Sequence, residues 1–213
     1  KEQRGYITPQ EFNLFANQAQ IEILNQYFYD IYQWGKVPGS NHEYADMLSI
    51  VNEKIAVLNV RESNIPVVSG IVQIPIAAFK LGSVFAFNGF TEVEEVNYNE
   101  YQHMIRGGLT KPSLQRPVYI NRIDGLNIYP AIGINKVEIS YVKIPNIVQW
   151  AYVIVNDKAL YNDNISVDFE LHASEESELV YKILKYSGVS LKAEDVMQIG
   201  QALEMAQTQQ QKQ

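Results

Sequence analysis

Gly107-Gly108-Leu109-Thr110-Lys111 is the stretch that comes nearest to phosphate chemistry. A phosphate-cradling loop needs Gly-x-x-x-x-Gly-Lys-Ser/Thr followed at once by a helix, so that backbone N–H groups and a lysine meet the phosphates. Here the spacing differs and Pro112 follows, which predicts a turn leading into an extended arm. Asp157, Asp163, Asn164 and Asp168 form an oxygen-rich run. It lacks the alternating acidic positions and the glycine of a calcium loop, and reads as loop chemistry. Asp168 and Glu170 share a face only in an extended chain, whereas paired catalytic carboxylates come from different elements. His42-Glu43 reads as a solvated helix start, and His172 as local structure ahead of Ser174. There is no Gly-x-Ser-x-Gly elbow and no His-Glu-x-x-His pair. With no cysteine, a thiol nucleophile, a disulfide scaffold and a thiolate zinc site are excluded. No catalytic, cofactor-binding or metal-ligating residue is expected.

What is left is binding. Lys111, Arg116, Arg122, Lys136 and Lys143 fall in the middle of the chain. They read either as a solvated strand face or as a surface toward DNA or an acidic neighbour. The net charge of −7 is uneven: −5 over residues 1–106, +3 over 107–156 and −5 over 157–213. The overall field repels phosphate, which argues against free nucleic-acid binding and leaves room for one basic face inside an assembly. The fourteen tyrosines suit half-buried packing and interfaces, since each joins a large apolar face to one polar tip.

These groups must be carried by a chain of 213 residues, 46% of them hydrophobic, enough for a core. No apolar run is long enough for a membrane span, and no signal peptide is visible. The start on Lys1 reads as a trimmed or partial one. Thr8-Pro9-Gln10-Glu11 has the form of a capping box, and Phe12, Phe15, Ala16, Ala19, Ile23, Tyr27 and Ile31 recur at helical spacing. A helix over Pro9 to Trp34 is predicted, roughly 39 Å long. A second spans His42 to Lys54. Short strands are expected over 56–60 and 71–74, with 75–90 unassigned. A short helix over Asn97 to Arg106 ends at Gly107-Gly108. Residues 109–117, with two prolines, read as extended. Strands 118–122 and 126–129 flank Asp124-Gly125, a hairpin signal. Lys136 to Ile144 alternates, with Val137, Ile139 and Tyr141 on one face, and 149–155 reads as a fourth strand. Ser174 caps a helix ending at Gly188, and a last helix from Lys192 fades into a flexible tail over 207–213.

The expected fold class is α+β: a helical bundle formed by the N- and C-terminal helices, with a β-rich insertion. The expected segments are 1–56 (N-terminal helices), 57–155 (β-rich insertion) and 156–213 (C-terminal helices and tail).

Two groups of segments carry a resemblance. One is Ile7-Thr8-Pro9-Gln10-Glu11-Phe12-Asn13 with Ala19-Gln20 and its long helix. The other runs from Leu109-Thr110-Lys111-Pro112 through Arg116-Pro117-Val118-Tyr119, the hairpin and Val137-Glu138-Ile139-Ser140-Tyr141 to Asp168-Phe169-Glu170-Leu171-His172. The layout resembles virion structural proteins of tailed phages infecting Bacteroidetes, including crAss-like short-tailed phages. In particular it resembles a ring or adaptor protein of the head–tail connector beneath the portal. The resemblance implies a non-enzymatic, cofactor-free subunit of a homo-oligomeric, commonly twelve-fold ring. Such a ring touches portal and tail proteins, passes genomic DNA as cargo, involves no membrane, and is assembled in the host bacterial cytoplasm. Leu109, Thr110, Lys111, Pro112, Leu114 and Arg116 are then expected at inter-subunit contacts. Arg122, Lys136 and Lys143 are expected on a channel or acidic-partner face. The alternatives are another virion component (tail tube, tail tip or head decoration) and an enzyme or carbohydrate-binding module suggested by abundant Tyr, Asn and Gln.

Overall fold

A computed structural model describes residues 7–34, 42–87, 89–156, 158–191 and 194–211. The chain divides into two compact units, one of residues 58–144 and one joining residues 1–57 to 145–213. It is a mixed α/β protein, and the expectation of a terminal helical bundle carrying a β insertion is corrected. Its largest buried core belongs to a curled seven-stranded sheet. The helix-bearing unit is itself not a plain bundle, because an extended segment and a hairpin lie among its helices.

The sheet unit contains β1 (Asn59–Pro66), β2 (Ile71–Val72), β3 (Ala78–Ala86), β4 (Thr91–Glu95), α1 (Tyr98–Arg106), β5 (Val118–Arg122), β6 (Gly125–Tyr129) and β7 (Lys136–Lys143). The strand order is β1-β7-β3-β4-β5-β6-β2. β1 and β2 are the two edges, yet only five Cα steps separate Pro66 from Ile71. Those steps reach at most about 18 Å, while six flat inter-strand gaps would span about 29 Å. The sheet therefore has to curl, and Ile65 of one edge and Val72 of the other join the same buried cluster. The linker is shorter still than its reach, because Val68 and Ile71 pair around Ser69 and Gly70, both at positive φ. β4 is the corner. Its first half pairs antiparallel with β3, and Glu94 and Glu95 pair parallel with Val118 and Tyr119 of β5.

The alternation in β7 is as read: Val137, Ile139 and Tyr141 are buried, and Glu138 and Ser140 are only partly covered. β5 is covered on both sides. Tyr119 faces the central cluster, while Val118 and Ile120 pack with Val96 under Tyr101 and Met104 of α1. Asn97 and Glu100 cap α1 reciprocally. The β5–β6 hairpin forms with its turn one residue early, at Ile123–Asp124. Gly125 opens β6 with φ +127°, and a Cβ there would lie 2.3 Å from the Val72 carbonyl oxygen. The unassigned 75–90 stretch holds β3.

The second unit contains α2 (Pro9–Trp34), α3 (His42–Ala56), β8 (Tyr152–Val155), β9 (Lys158–Tyr161), α4 (Glu176–Leu191) and α5 (Glu194–Gln211). Thr8 and Glu11 form the expected capping box at the head of α2. Ala16, Ala19, Ile23, Leu24 and Tyr27 of α2 are buried. Gly188 does not end α4, which runs on to Leu191, and α5 remains helical to Gln211 where a flexible tail was expected. The cap before α4 is His172, whose Nδ1 accepts from the Ser174 N–H at 3.3 Å.

Candidate functional site

The expected contact segment 109–117 is a series of turns and not an extended arm. Two prolines deny it regular structure, but local bonds close it on itself. Thr110 Oγ1 donates to the Met104 carbonyl at 3.0 Å. A Cβ on Gly107 would sit 2.2 Å from that hydroxyl oxygen, so only glycine admits the contact. Ser113 and Arg116 exchange backbone hydrogen bonds at 3.2 and 3.1 Å. Arg116 reaches Glu94 at 3.3 Å, with both groups largely exposed. Pro112 is half-buried and Lys111 exposed. The two leucines differ in degree: Leu109 is fully exposed, whereas Leu114, 43% exposed, rests its methyl groups against Gly133. Leu109→Ser is therefore expected to shift unfolding stability by no more than about 0.5 kcal/mol. Leu114→Ser should cost about 1–2 kcal/mol. Urea unfolding of the two variants checks this, and equal losses would contradict the placement.

The three basic residues expected to share a face do not gather. Lys136 and Lys143 lie at opposite ends of β7, roughly 23 Å apart, and seven positions put them on alternate faces. Arg122 lies at the end of β5 with its guanidinium over the Tyr98 ring, 5.6 Å from the centroid. Lys136 points toward the Asn64 side-chain oxygen at 3.5 Å.

A shallow groove of about 660 Å³ follows β4, lined by Phe90, Glu92, Glu94, Glu95, Arg116 and Tyr119 among others. Burial first, then Glu95, pushes the Tyr119 hydroxyl up to about 12. The groove offers carboxylates and one guanidinium that is already paired. Its Tyr119 hydroxyl donates to Glu95 Oε2 at 3.3 Å. Among the described residues no group of three acidic or histidine side chains could hold a metal ion, and no helix is long and apolar enough to cross a membrane. Asp163 accepts from the Tyr161 hydroxyl, and Glu170 accepts from the Asn146 N–H and side-chain amide at 2.8 and 2.9 Å. These are structural bonds, and Asp157 lies outside the described residues.

Two polar constructions in the helical unit went unread in the sequence. The first is a ladder of amides on α2. Asn13, Asn17 and Gln20 recur at spacings of four and three, so they stack along one helix face. The extended segment 146–150 runs alongside. Asn17 accepts from the Val148 N–H and donates to its carbonyl, both at 2.8 Å. Asn13 does the same for Trp150 at 2.7 and 3.3 Å. Gln20 donates to the Asn146 carbonyl at 2.9 Å and accepts from the Glu170 N–H at 3.1 Å. The rise of two extended residues, about 6.6 Å, roughly matches one helical turn, about 5.4 Å, which lets each amide meet every second peptide. The odd peptides face the other way, where Gln149 pairs with Val167 and Ala151 with Asn162 and Ser166.

The second is an ion network centred on Lys182 of α4. Lys182 is 4% exposed, and its ammonium reaches Glu204 at 2.8 Å and Glu22 and Glu178 at 3.5 Å. Lys185 joins Glu204 at 3.0 Å, and Tyr186 bonds Glu22. Gly200 makes this possible: its position lies against the backbone of Lys185, and Glu204 follows one turn later. Burial opposes the charge on Lys182, but Glu204, Glu22 and Glu178 outweigh it and hold the ammonium above the usual lysine value. Burial likewise opposes ionisation of Glu204, yet its two lysines draw it below the usual range. Desolvation raises Glu178. Nearby, buried Glu175 pairs with Lys54 at 2.6 Å. The network sets two lysines against three carboxylates around the buried Lys182, with Glu22 and Lys185 partly open to solvent.

The feature that most departs from an isolated protein is apolar exposure. Among the described residues, exposed large hydrophobic side chains outnumber buried hydrophobic ones. In the sheet unit, Leu58 and Lys143 meet at one end through a 2.9 Å backbone bond. The turns at the opposite end present Val68, Phe90 and Ile132, 67%, 89% and 87% exposed. In the helical unit, Val180 and Leu184 form an exposed pair one turn apart on α4, as do Ile199 and Leu203 on α5.

No protein-family model matches the chain, and no curated protein matches it.

Proposed function

We propose that this chain is the repeated, non-enzymatic subunit of a ring in the head–tail connector of a tailed-phage virion, lying below the portal, extending the DNA channel and attaching the tail. The single observation that carries the reading is the surplus of exposed apolar side chains over buried ones. Scattered surface leucines are ordinary, but apolar residues on loop tips and paired along helix faces are what subunit interfaces use. The segment resemblance supplies the kind of assembly.

One observation favours a second reading. The curled sheet holds a twelve-residue buried core of its own, as expected of subunits of tail tubes, tail tips or head decorations. Native mass spectrometry of the full chain, alone and with a portal protein, separates the two. A closed ring, or one formed on portal addition, is the expected result. Open stacks indifferent to portal would favour the tail-component reading, and a persistent monomer would overturn both.

A further inference from the structure

We infer that the β8–β9 hairpin joins one copy of this chain to the next, β8 of one copy pairing with β9 of its neighbour. This deepens the ring reading and rests on it. The two strands pair only with each other among the described residues, Tyr152 with Tyr161 through Val155 with Lys158. Both outer edges therefore present unpaired peptide groups. Both faces are mostly apolar, Lys158 being the one charged side chain in the two strands. Val153, Val155 and Leu160 share one face, and Ile154 and Tyr161 lie on the other, all between 47% and 69% exposed. A lone two-stranded hairpin is marginal in water, and a flat partner surface would cover only one face of this one.

The root of the hairpin is built for load. Trp150 stacks on Tyr152 and Tyr161 with centroids 5.9 and 6.0 Å away. The preceding peptides are held by the amide ladder of α2. A firmly rooted element with a bare tip is an arm.

Three observations name a second copy as the occupant. The edge of β8 carries no charge, proline or bulge, and that of β9 carries one lysine, Lys158, at its start. The long edge strand β1, by contrast, carries a bulge, Arg61, Glu62 and Pro66. Charge points the same way. The chain carries −7, but residues 148–162 hold only Asp157 and Lys158, so this is a segment that like copies can bring together without repulsion. The pairing itself favours a ring over a pair, since β8 meeting β9 is a head-to-tail contact that repeats from copy to copy. A stable interface uses about 20–30 residues a side, and the hairpin supplies Tyr152–Tyr161. A head-to-tail ring engages each copy twice, through its own hairpin and its neighbour's, and the adjoining exposed Ile147, Ile165 and Val167 add to each contact.

The absence of cysteine makes the test clean, since every disulfide formed is an introduced one. Full-length chains bearing Val153→Cys, Ile154→Cys or Val155→Cys are each mixed with a chain bearing Leu160→Cys and oxidised at assembly concentration. Covalent heterodimers are expected for at least one pairing. The double variant Ile154→Asp/Leu160→Asp, one charge on each face, is expected to raise the half-assembly concentration about tenfold or more, with an unchanged far-UV circular dichroism spectrum. Rings that form without heterodimers and survive the double variant would overturn the hairpin contact and leave the ring reading standing. A wild-type chain that never assembles would overturn both.

Discussion

Lys182→Met is expected to destabilise the helical unit by about 2–3 kcal/mol at pH 7, the cost of leaving partly buried carboxylates without this cation, Glu204 alone keeping a second one in Lys185. Glu22, Glu178 and Glu204 all reach this one ammonium, and methionine fills the space while answering none of them. The pH dependence carries the sign. Glu204 is held below its ordinary value of 4.5, so its contribution is present above that value and fades as pH falls through the folded one. Lys182 is held above its ordinary 10.5, so its contribution is complete below that and fades as pH rises through the folded one. Glu178 runs the other way: its raised value means that ionisation costs the fold and protonation relieves it. Acidification thus weakens the wild type and relieves the variant. The gap between them should narrow steadily from pH 7 to about pH 4. Urea unfolding at several pH values measures it, and a gap that stays constant would mean that lost packing, and not unpaired charge, is the cause.

Asn17→Leu is expected to cost about 2–4 kcal/mol, because it strands both the N–H and the carbonyl of Val148. Leucine is close in size, so the loss isolates the hydrogen bonds from packing. Amide hydrogen exchange gives the local readout: the Val148 N–H should lose protection, followed by that of Trp150, its neighbour on the ladder. Asn25→Leu, exposed on the same helix, is the control and should change neither. Equal behaviour of the two variants would refute the ladder as a structural element.

Elements set by local rules were legible. Thr8 to Glu11 announces a helix start, and the alternation from Lys136 to Lys143 states which face is buried. The Asp124-Gly125 pair marks a hairpin, with the turn displaced by one residue because Gly125 is needed where the chain passes the Val72 carbonyl. What failed to show was set by distant partners. The sheet curls because β1 and β2 are its two edges and nearly adjacent in sequence, and no local pattern tells which strand pairs with which. Gly188 looks like a stop, yet α4 continues because α5 packs alongside. Segment 109–117 was read as extended from its prolines, but Thr110, Ser113 and Leu114 each find a nearby partner. Of the contact residues expected there, all but Pro112 remain exposed, Leu109 the most completely. The amides of α2 carried a signal, since Asn13, Asn17 and Gln20 follow the same three-and-four spacing as the apolar stripe beside them. Spacing alone gives no hint that their partners lie more than 120 residues away.

The amide ladder also has a direction. Its rungs are spread along the axis of α2, and the segment they hold leads straight into the hairpin. A pull along that axis strains every rung at once, in shear, so the rungs must yield together. A pull across it peels the segment away one rung at a time, beginning at Trp150. The same bonds therefore make a joint that is stiff lengthwise and weak sideways, and tension on the tip is handed to the full length of the helix before any rung gives.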